Sequence, residues 1–283
     1  MIIDIVCPLY KAEKYIENLI HNLKSQRDIE LGNVVFPITI SENDEQVIRI
    51  IKDNAFKYFL VNKNEFSHSL TREKAVYDYC ENDIVLMISQ DVVLLNKDII
   101  KELVQHISSE VVYAYGRQIC RKKTIEYYVR QKNYGNDSYV ISKEDVSTMQ
   151  LKAFFASDAF AAYHRPTFIK LGGYDHINMM MNEDMYYSKK ILDNGYKKAY
   201  VSTALVEHSH KLTFGQLYNR YYETGKWFHA HPEFDNYKTT DSGLKLATHV
   251  LKSALKDFNI PVLFRFLPDM ISRYLGMKKG KNA

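Results

Sequence analysis

Residues 2–10, Ile2-Ile3-Asp4-Ile5-Val6-Cys7-Pro8-Leu9-Tyr10, read as an apolar strand that stops at a proline. The apolar positions that follow, Tyr15, Ile16, Leu19, Ile20 and Leu23, recur at helical spacing. A strand followed by a helix is the repeating unit of a parallel sheet, and the unit returns. Strands are predicted at 34–41, 58–61 and 84–88, with helical spacing over 45–56 and 71–80 between them. The fold class is therefore α/β, with a mostly parallel central sheet covered by helices on both faces. Ligands of such sheets gather beyond the carboxyl ends of the strands, so residues 8–11, 41–44, 66–72 and 89–91 are expected to face one crevice.

The second half is less regular. It holds a Tyr-rich stretch over 111–139, a predicted strand at 154–160, and a turn at Gly172-Gly173-Tyr174. Asn182-Glu183-Asp184 then stands ahead of a helix over 185–193, closed by Gly195 in the usual place for a glycine beyond a helix C-terminus. A strand about 199–208 and a helix from Phe214 follow. Past Asp241 the pattern changes: Leu244, Ala247, Val250, Leu251 and Leu255 share one helical face, with Lys245, Lys252 and Lys256 elsewhere. A proline-bounded segment, 260–268, then precedes a second helix with Met270, Ile271, Tyr274 and Leu275. A large α/β domain is expected over 1–240 and a helical appendage over 241–283. The appendage either lies on a membrane surface or packs on the domain or on a second subunit.

At 283 residues the chain suits one such domain plus the appendage, and 46% apolar with 25% charged residues excludes wholesale disorder and a multi-span membrane protein. The net charge of +4 is dispersed except at Lys278, Lys279 and Lys281, so nucleic acid is not a favoured partner. Cys7, Cys80 and Cys120 are odd in number and widely spaced, which argues against a disulfide framework or a cysteine zinc site and for a reducing cytoplasm. No signal-like start or run of ~20 apolar residues is present, so membrane contact is expected to be peripheral.

Three groups can carry chemistry. The Glu183-Asp184 pair, near a helix start, can place one carboxylate on backbone donors and leave the other facing a substrate as a general base; such pairs also serve simply as caps. Asp91, in Ser89-Gln90-Asp91, follows the apolar strand 84–88 and can hold Mg²⁺ or Mn²⁺ on oxygen; otherwise it is a turn residue capping a helix near Lys97. His208 and His210, two apart in extended chain, project to one side and suit metal or diphosphate oxygens, or a structural role. Thr71 can cap a helix, and Arg72 beside it can contact phosphate or a base carbonyl, or simply lie on the surface. Gly-x-Gly-x-x-Gly, the P-loop and Gly-x-Ser-x-Gly are all missing, which lowers the case for a dinucleotide oxidoreductase, an NTPase and a serine hydrolase.

Taken in order, Cys7-Pro8-Leu9-Tyr10, Ser41-Glu42-Asn43-Asp44, Gln90-Asp91, Gly172-Gly173-Tyr174, Asn182-Glu183-Asp184 and His208-Ser209-His210 resemble the signposts of the inverting glycosyltransferases of the GT-A, Rossmann-like fold. Glu65-Phe66-Ser67-His68 ahead of Thr71-Arg72, and Tyr115-Gly116-Arg117-Gln118, are similar to the bacterial rhamnosyltransferase branch, which uses dTDP-L-rhamnose. The resemblance covers about residues 2 to 230. It implies that Pro8, Tyr10, Glu42, Arg72 and Gln90 line the donor pocket and that Asp91 binds metal and diphosphate, with His208 and His210 nearby. Asp184 becomes the catalytic base, with Glu183 as second candidate. Ser69-Leu70 stand where the branch usually has Gly-Gly, and Glu73 where it usually has Asn. The implied reaction extends a cell-surface polysaccharide on a polyprenyl-diphosphate-linked saccharide at the inner face of the membrane. The alternatives are the same chemistry with a UDP-hexose, or a silent module that binds glycan or lipid carrier.

Overall fold

In the computed structural model, which describes residues 1–237 and 242–283, nine strands join in one sheet. They are β1 (Ile2–Val6), β2 (Glu30–Thr39), β3 (Lys57–Val61), β4 (Ile84–Ile88), β5 (Val93–Leu94), β6 (Val111–Ile119), β7 (Tyr139–Ile141), β8 (Phe160–His164) and β9 (Lys197–Glu207). The helices are α1 (Ile16–Lys24), α2 (Asp44–Asp53), α3 (His68–Tyr79), α4 (Ile99–Val104), α5 (Ile125–Asn133), α6 (Val146–Met149), α7 (Arg165–Lys170), α8 (Glu183–Asp193), α9 (Phe214–Ala230), α10 (Ser242–Lys256) and α11 (Ile260–Lys281). Spatial order is β3-β2-β1-β4-β8-β6-β9-β5, with β7 on β9.

The run β3-β2-β1-β4 is parallel. Burial of every residue of β4 explains why Ile84-Val85-Leu86-Met87-Ile88 is apolar without alternation: both faces are covered. β8 enters antiparallel to both β4 and β6, so β6 runs with the first four strands. At the amino edge, Asp4 is fully buried yet satisfied. Its carboxylate accepts from the backbone N–H of Asn33 (2.6 Å), Glu81 (2.6 Å) and Asn82 (2.8 Å) and from the Asn82 amide (2.7 Å). The same acid that interrupts the apolar run thereby ties β1 to β2 and to the turn entering β4.

By compactness the chain divides into two units. The first comprises Met1–Arg117, Asn136–Asp145 and Phe154–His208; the second comprises Gln118–Gly135, Val146–Ala153 and Ser209–Ala283. The boundary expected at 240/241 lies outside the described residues. Within the second unit, α5, α10 and α11 share a core of Ile125, Tyr128, Val129, Val250, Ala254 and Val262. α9 and α11 cross at Gly225, Gly276 and Gly280. A Cβ on Gly276 would run into the Tyr218 carbonyl, and one on Gly280 into that of Tyr222. Gly276→Ala is therefore expected to cost roughly 1–3 kcal/mol by forcing the helices apart, read as a lowered Tm, while Gly243→Ala, which meets open space, leaves it unchanged.

Four local expectations need correction. The strand predicted at 154–160 begins only at Phe160; Phe154 closes a short 3-10 helix, Gln150–Phe154, and residues 155–159 are a loop in which Ala156 and Ala159 are buried. The helix after Phe66 starts one turn early, so Ser67, accepting from the Leu70 N–H at 3.1 Å, is the cap in place of Thr71. The helix expected near Lys97 starts at Ile99, with Asp98 and not Asp91 at its N-cap position. The proline-bounded segment 260–268 is helical, part of α11. Pro261 occupies the first turn, where a missing N–H costs nothing, and Pro268 lies on the exposed side, where the carbonyl it leaves unpaired can be solvated. No helix among the described residues is long and apolar enough to cross a membrane.

Candidate active site

At the carboxyl edge of the parallel strands, the Tyr10 N–H donates to Gln90 Oε1 at 2.8 Å and Gln90 Nε2 donates to the Tyr10 carbonyl at 2.9 Å. This reciprocal pair fastens the loop after β1 to the loop after β4 and leaves the Tyr10 ring exposed, with Lys63 Nζ 6.0 Å from its centroid. Pro8 is half-buried just before it. In the neighbouring loop Asp44 holds the turn, accepting from the Ser41 N–H (2.6 Å) and hydroxyl (2.7 Å), and Glu42 stands apart with its side chain in solvent.

Asp91 follows Gln90, and His208 Nε2 lies 3.4 Å from its Oδ1. The two side chains are 18% and 7% exposed, so a carboxylate and an imidazole converge in a largely dry place. His210 comes two residues later, where the second unit begins. Cys7 is buried close by; burial drives its thiol far up and leaves it inert, and it feels the charges of both Arg72 and Asp91.

Asn182 adopts the left-handed conformation (φ 62°) that asparagine tolerates better than most residues, and it turns the chain sharply into α8. Glu183 and Asp184 therefore occupy the first helical turn instead of preceding the helix. Their fates differ. Glu183 is buried and bound by the Arg72 guanidinium, which also lies 3.9 Å from Asp158 Oδ2. Burial alone would depress the Arg72 pKa, but the two acids outweigh it and hold the cation charged. Arg72 is thus drawn inward to acids.

Among the described residues no ion pair is formed by Asp184. Its Oδ1 accepts from the N–H of Met185 at 2.7 Å and its Oδ2 from that of Asp158 at 3.4 Å, and the side chain remains partly exposed. Burial, then the charges of Glu183 and Asp158, push its carboxyl well above the usual carboxylate range. A carboxylate whose affinity for a proton is raised in this way is suited to accept one from a substrate hydroxyl.

Two residues of this site escape the sequence reading. Asp158 accepts from the hydroxyls of Tyr113 (2.9 Å), Tyr163 (2.5 Å) and Tyr174 (2.9 Å), all fully buried. It is the hub that links the aromatic core to Arg72 and Asp184. Lys198 is also fully buried, donating to the Phe155 carbonyl at 2.7 Å with Nζ 5.5 Å from the Tyr115 ring centre. Burial depresses its pKa well below the normal lysine value, against the pull of Asp184. Strand alternation does not lead to it from His208, because Ala199 and Val201 share one core with Ala204 and Val206, so the buried face changes parity along β9.

The loop leading to Asn182 is clamped by α3. The Ser69 hydroxyl donates to the Ile177 carbonyl (2.6 Å) and accepts from the Met179 N–H (2.8 Å), while Glu73 accepts from the Tyr174 N–H (2.8 Å) and lies 2.8 Å from His176 Nδ1. Gly173, at φ 55°, leaves the space that Glu73 fills. Both positions where the chain departs from the rhamnosyltransferase pattern therefore act on one loop.

No family model matches the chain. Over its whole length it is 30% identical to the O-antigen chain rhamnosyltransferase RfbN of Salmonella typhimurium, covering 90% of that protein. Over 79% of its length it is 32% identical to the O-antigen chain rhamnosyltransferase WbaN of Salmonella anatum, covering 72% of it. Among solved structures it resembles the mannosyltransferase PcManGT of Pyrobaculum calidifontis, in complex with GDP-Man and Mn²⁺ (TM-score 0.56, 15% identity, 99% of this chain and 73% of that one). It also resembles S. aureus TarS in complex with UDP-GlcNAc (TM-score 0.58, 13% identity, 100% of this chain and 92% of that one). The structural likeness establishes the glycosyltransferase fold, and the sequence identity narrows it: the chain belongs to the family of the O-antigen chain rhamnosyltransferases, enzymes built on the GT-A fold.

Proposed function

We propose that this enzyme transfers L-rhamnose from dTDP-L-rhamnose, with inversion, to a saccharide carried on polyprenyl diphosphate at the cytoplasmic face of the membrane. Asp184 acts as the general base. The observation that carries the reading is the division of labour between adjacent acids. Glu183 is neutralised by Arg72, whereas Asp184 forms no ion pair among the described residues, is partly exposed, and has its affinity for a proton raised by burial. As the acceptor oxygen forms its bond to the anomeric carbon and the bond to the diphosphate breaks, the hydroxyl proton passes to Asp184. Met185 N–H steadies one carboxylate oxygen throughout. The Gln90–Tyr10 pair fixes the loop on which the nucleotide would lie, which supplies positioning with little reorganisation.

Asp91 and His208 would hold a divalent ion. A carboxylate with imidazole nitrogen suits Mn²⁺ better than Mg²⁺, which favours an all-oxygen shell. Such an ion, when bound, offsets the charge gathering on the departing diphosphate. Calorimetric titration with dTDP-rhamnose, UDP-glucose and UDP-galactose, each with and without Mn²⁺ or Mg²⁺, tests the assignment. Metal-dependent binding of dTDP-rhamnose alone is expected, and Asp91→Ala should weaken it by roughly tenfold or more. Preference for a UDP-sugar would replace the donor and keep the chemistry; binding of none of them would point to a silent module.

A further inference from the structure

α11 has two unlike faces. Val262, Asp269, Gly276 and Gly280 are buried on one, where Arg273 pairs with Asp269 at 2.6 Å and reaches the Tyr221 hydroxyl at 2.6 Å. On the other, Ile260, Phe264, Leu267, Ile271 and Tyr274 follow one another at intervals of four and three, forming a single stripe along the helix, and all five are exposed. The turn ahead of the stripe adds Phe258. Phe258 and Phe264 are 86% and 81% exposed, far beyond what an aromatic side chain shows without a partner to cover it. The apolar face expected over 244–255 divides likewise: Val250 and Ala254 are buried, while Leu244, Leu251 and Leu255 face solvent.

Charge identifies the partner. Residues 242–283 contain eight Lys and Arg against two acids, Asp257 and Asp269, more than the whole +4 of the chain. Both acids are already paired, Asp257 with Lys123 at 2.8 Å and Asp269 with Arg273. Lys252 and Lys256 are exposed before the turn, and Lys278, Lys279 and Lys281 at the end of α11. We propose that the α11 stripe, with Phe258, docks on an anionic lipid surface, its aromatic and aliphatic side chains entering the interfacial layer and the lysines meeting headgroup phosphates. The stripe's spacing would also suit a helix of a second copy, but a copy of this segment brings no unpaired acid to meet the cations. A spanning role is excluded by the charged inner face. Lipid binding stands whatever the donor sugar; only its bearing on a lipid-linked acceptor rests on the function proposed for the site.

Sedimentation of the full chain with vesicles tests this. Partition onto phosphatidylcholine vesicles containing phosphatidylglycerol is expected to exceed that onto phosphatidylcholine alone by about tenfold or more, and to fall with salt. Phe264→Ser combined with Leu267→Ser should reduce it by about tenfold or more, with Tm and nucleotide-sugar binding unchanged, because both side chains already sit in solvent. Equal partition onto neutral vesicles, no partition at all, or a double variant that binds vesicles normally but turns a dimer into a monomer would each overturn the proposal.

Discussion

Asp184→Asn is expected to lower kcat by about 10²- to 10⁴-fold, leave donor affinity nearly intact and raise thermal stability at neutral pH. The first two effects follow from removing a base that meets the acceptor proton and not the nucleotide. The third follows from linkage. The folded carboxyl binds its proton more tightly than the unfolded one, so stability declines as pH rises from the ordinary carboxylate value through the raised folded value, and a neutral amide escapes that loss. The amide oxygen can still accept from the Met185 N–H, so the local geometry survives. Melting curves should show the variant gaining over the parent at neutral pH and converging with it in acid. The same displacement predicts that the acid limb of kcat/KM in the parent lies above the range of an ordinary carboxylate. Loss of donor binding in the variant, or an acid limb at the ordinary value, would remove Asp184 from the role.

Arg72→Met should be the most destabilising single change at the site, about 3–5 kcal/mol, because it leaves Glu183 buried without its cation, with Asp158 3.9 Å from the lost guanidinium. Glu183→Gln keeps an oxygen for the guanidinium and leaves Asp158 to balance it, so it should cost much less. Denaturant unfolding of the two variants separates the inward-facing arginine from a nucleotide-binding one. If Arg72→Met melts like the parent and loses only donor affinity, the ion pair does not describe the working enzyme.

The parallel half of the fold is legible because its strands are short apolar runs bounded by polar residues. Ile84 to Ile88 is read to the residue, and Gln90 and Asp91 follow directly at its carboxyl end. Residues 154–159 mislead for a tertiary reason: Phe154, Ala156 and Ala159 are buried outside any strand, so composition imitates one. Asp158 is hidden in that stretch, and its meaning depends on three tyrosines drawn from β6, β8 and the loop ahead of α8, a convergence no local pattern encodes. Arg72 presents the same difficulty. Its position after a helix cap suggests solvent or phosphate, and only the folded chain reveals two acids behind it. The C-terminal helices show a further limit, since helical spacing finds an apolar face without saying whether protein or something else covers it.

The sheet order has a consequence for the nascent chain. β4 is finished at Ile88, but the strand that covers its free side, β8, begins only at Phe160. Until that later segment leaves the ribosome, an entirely apolar strand stays an open edge, the geometry most prone to pairing with another molecule. Slowing elongation before β8 should therefore lower the soluble yield, whereas slowing it after β9 should not.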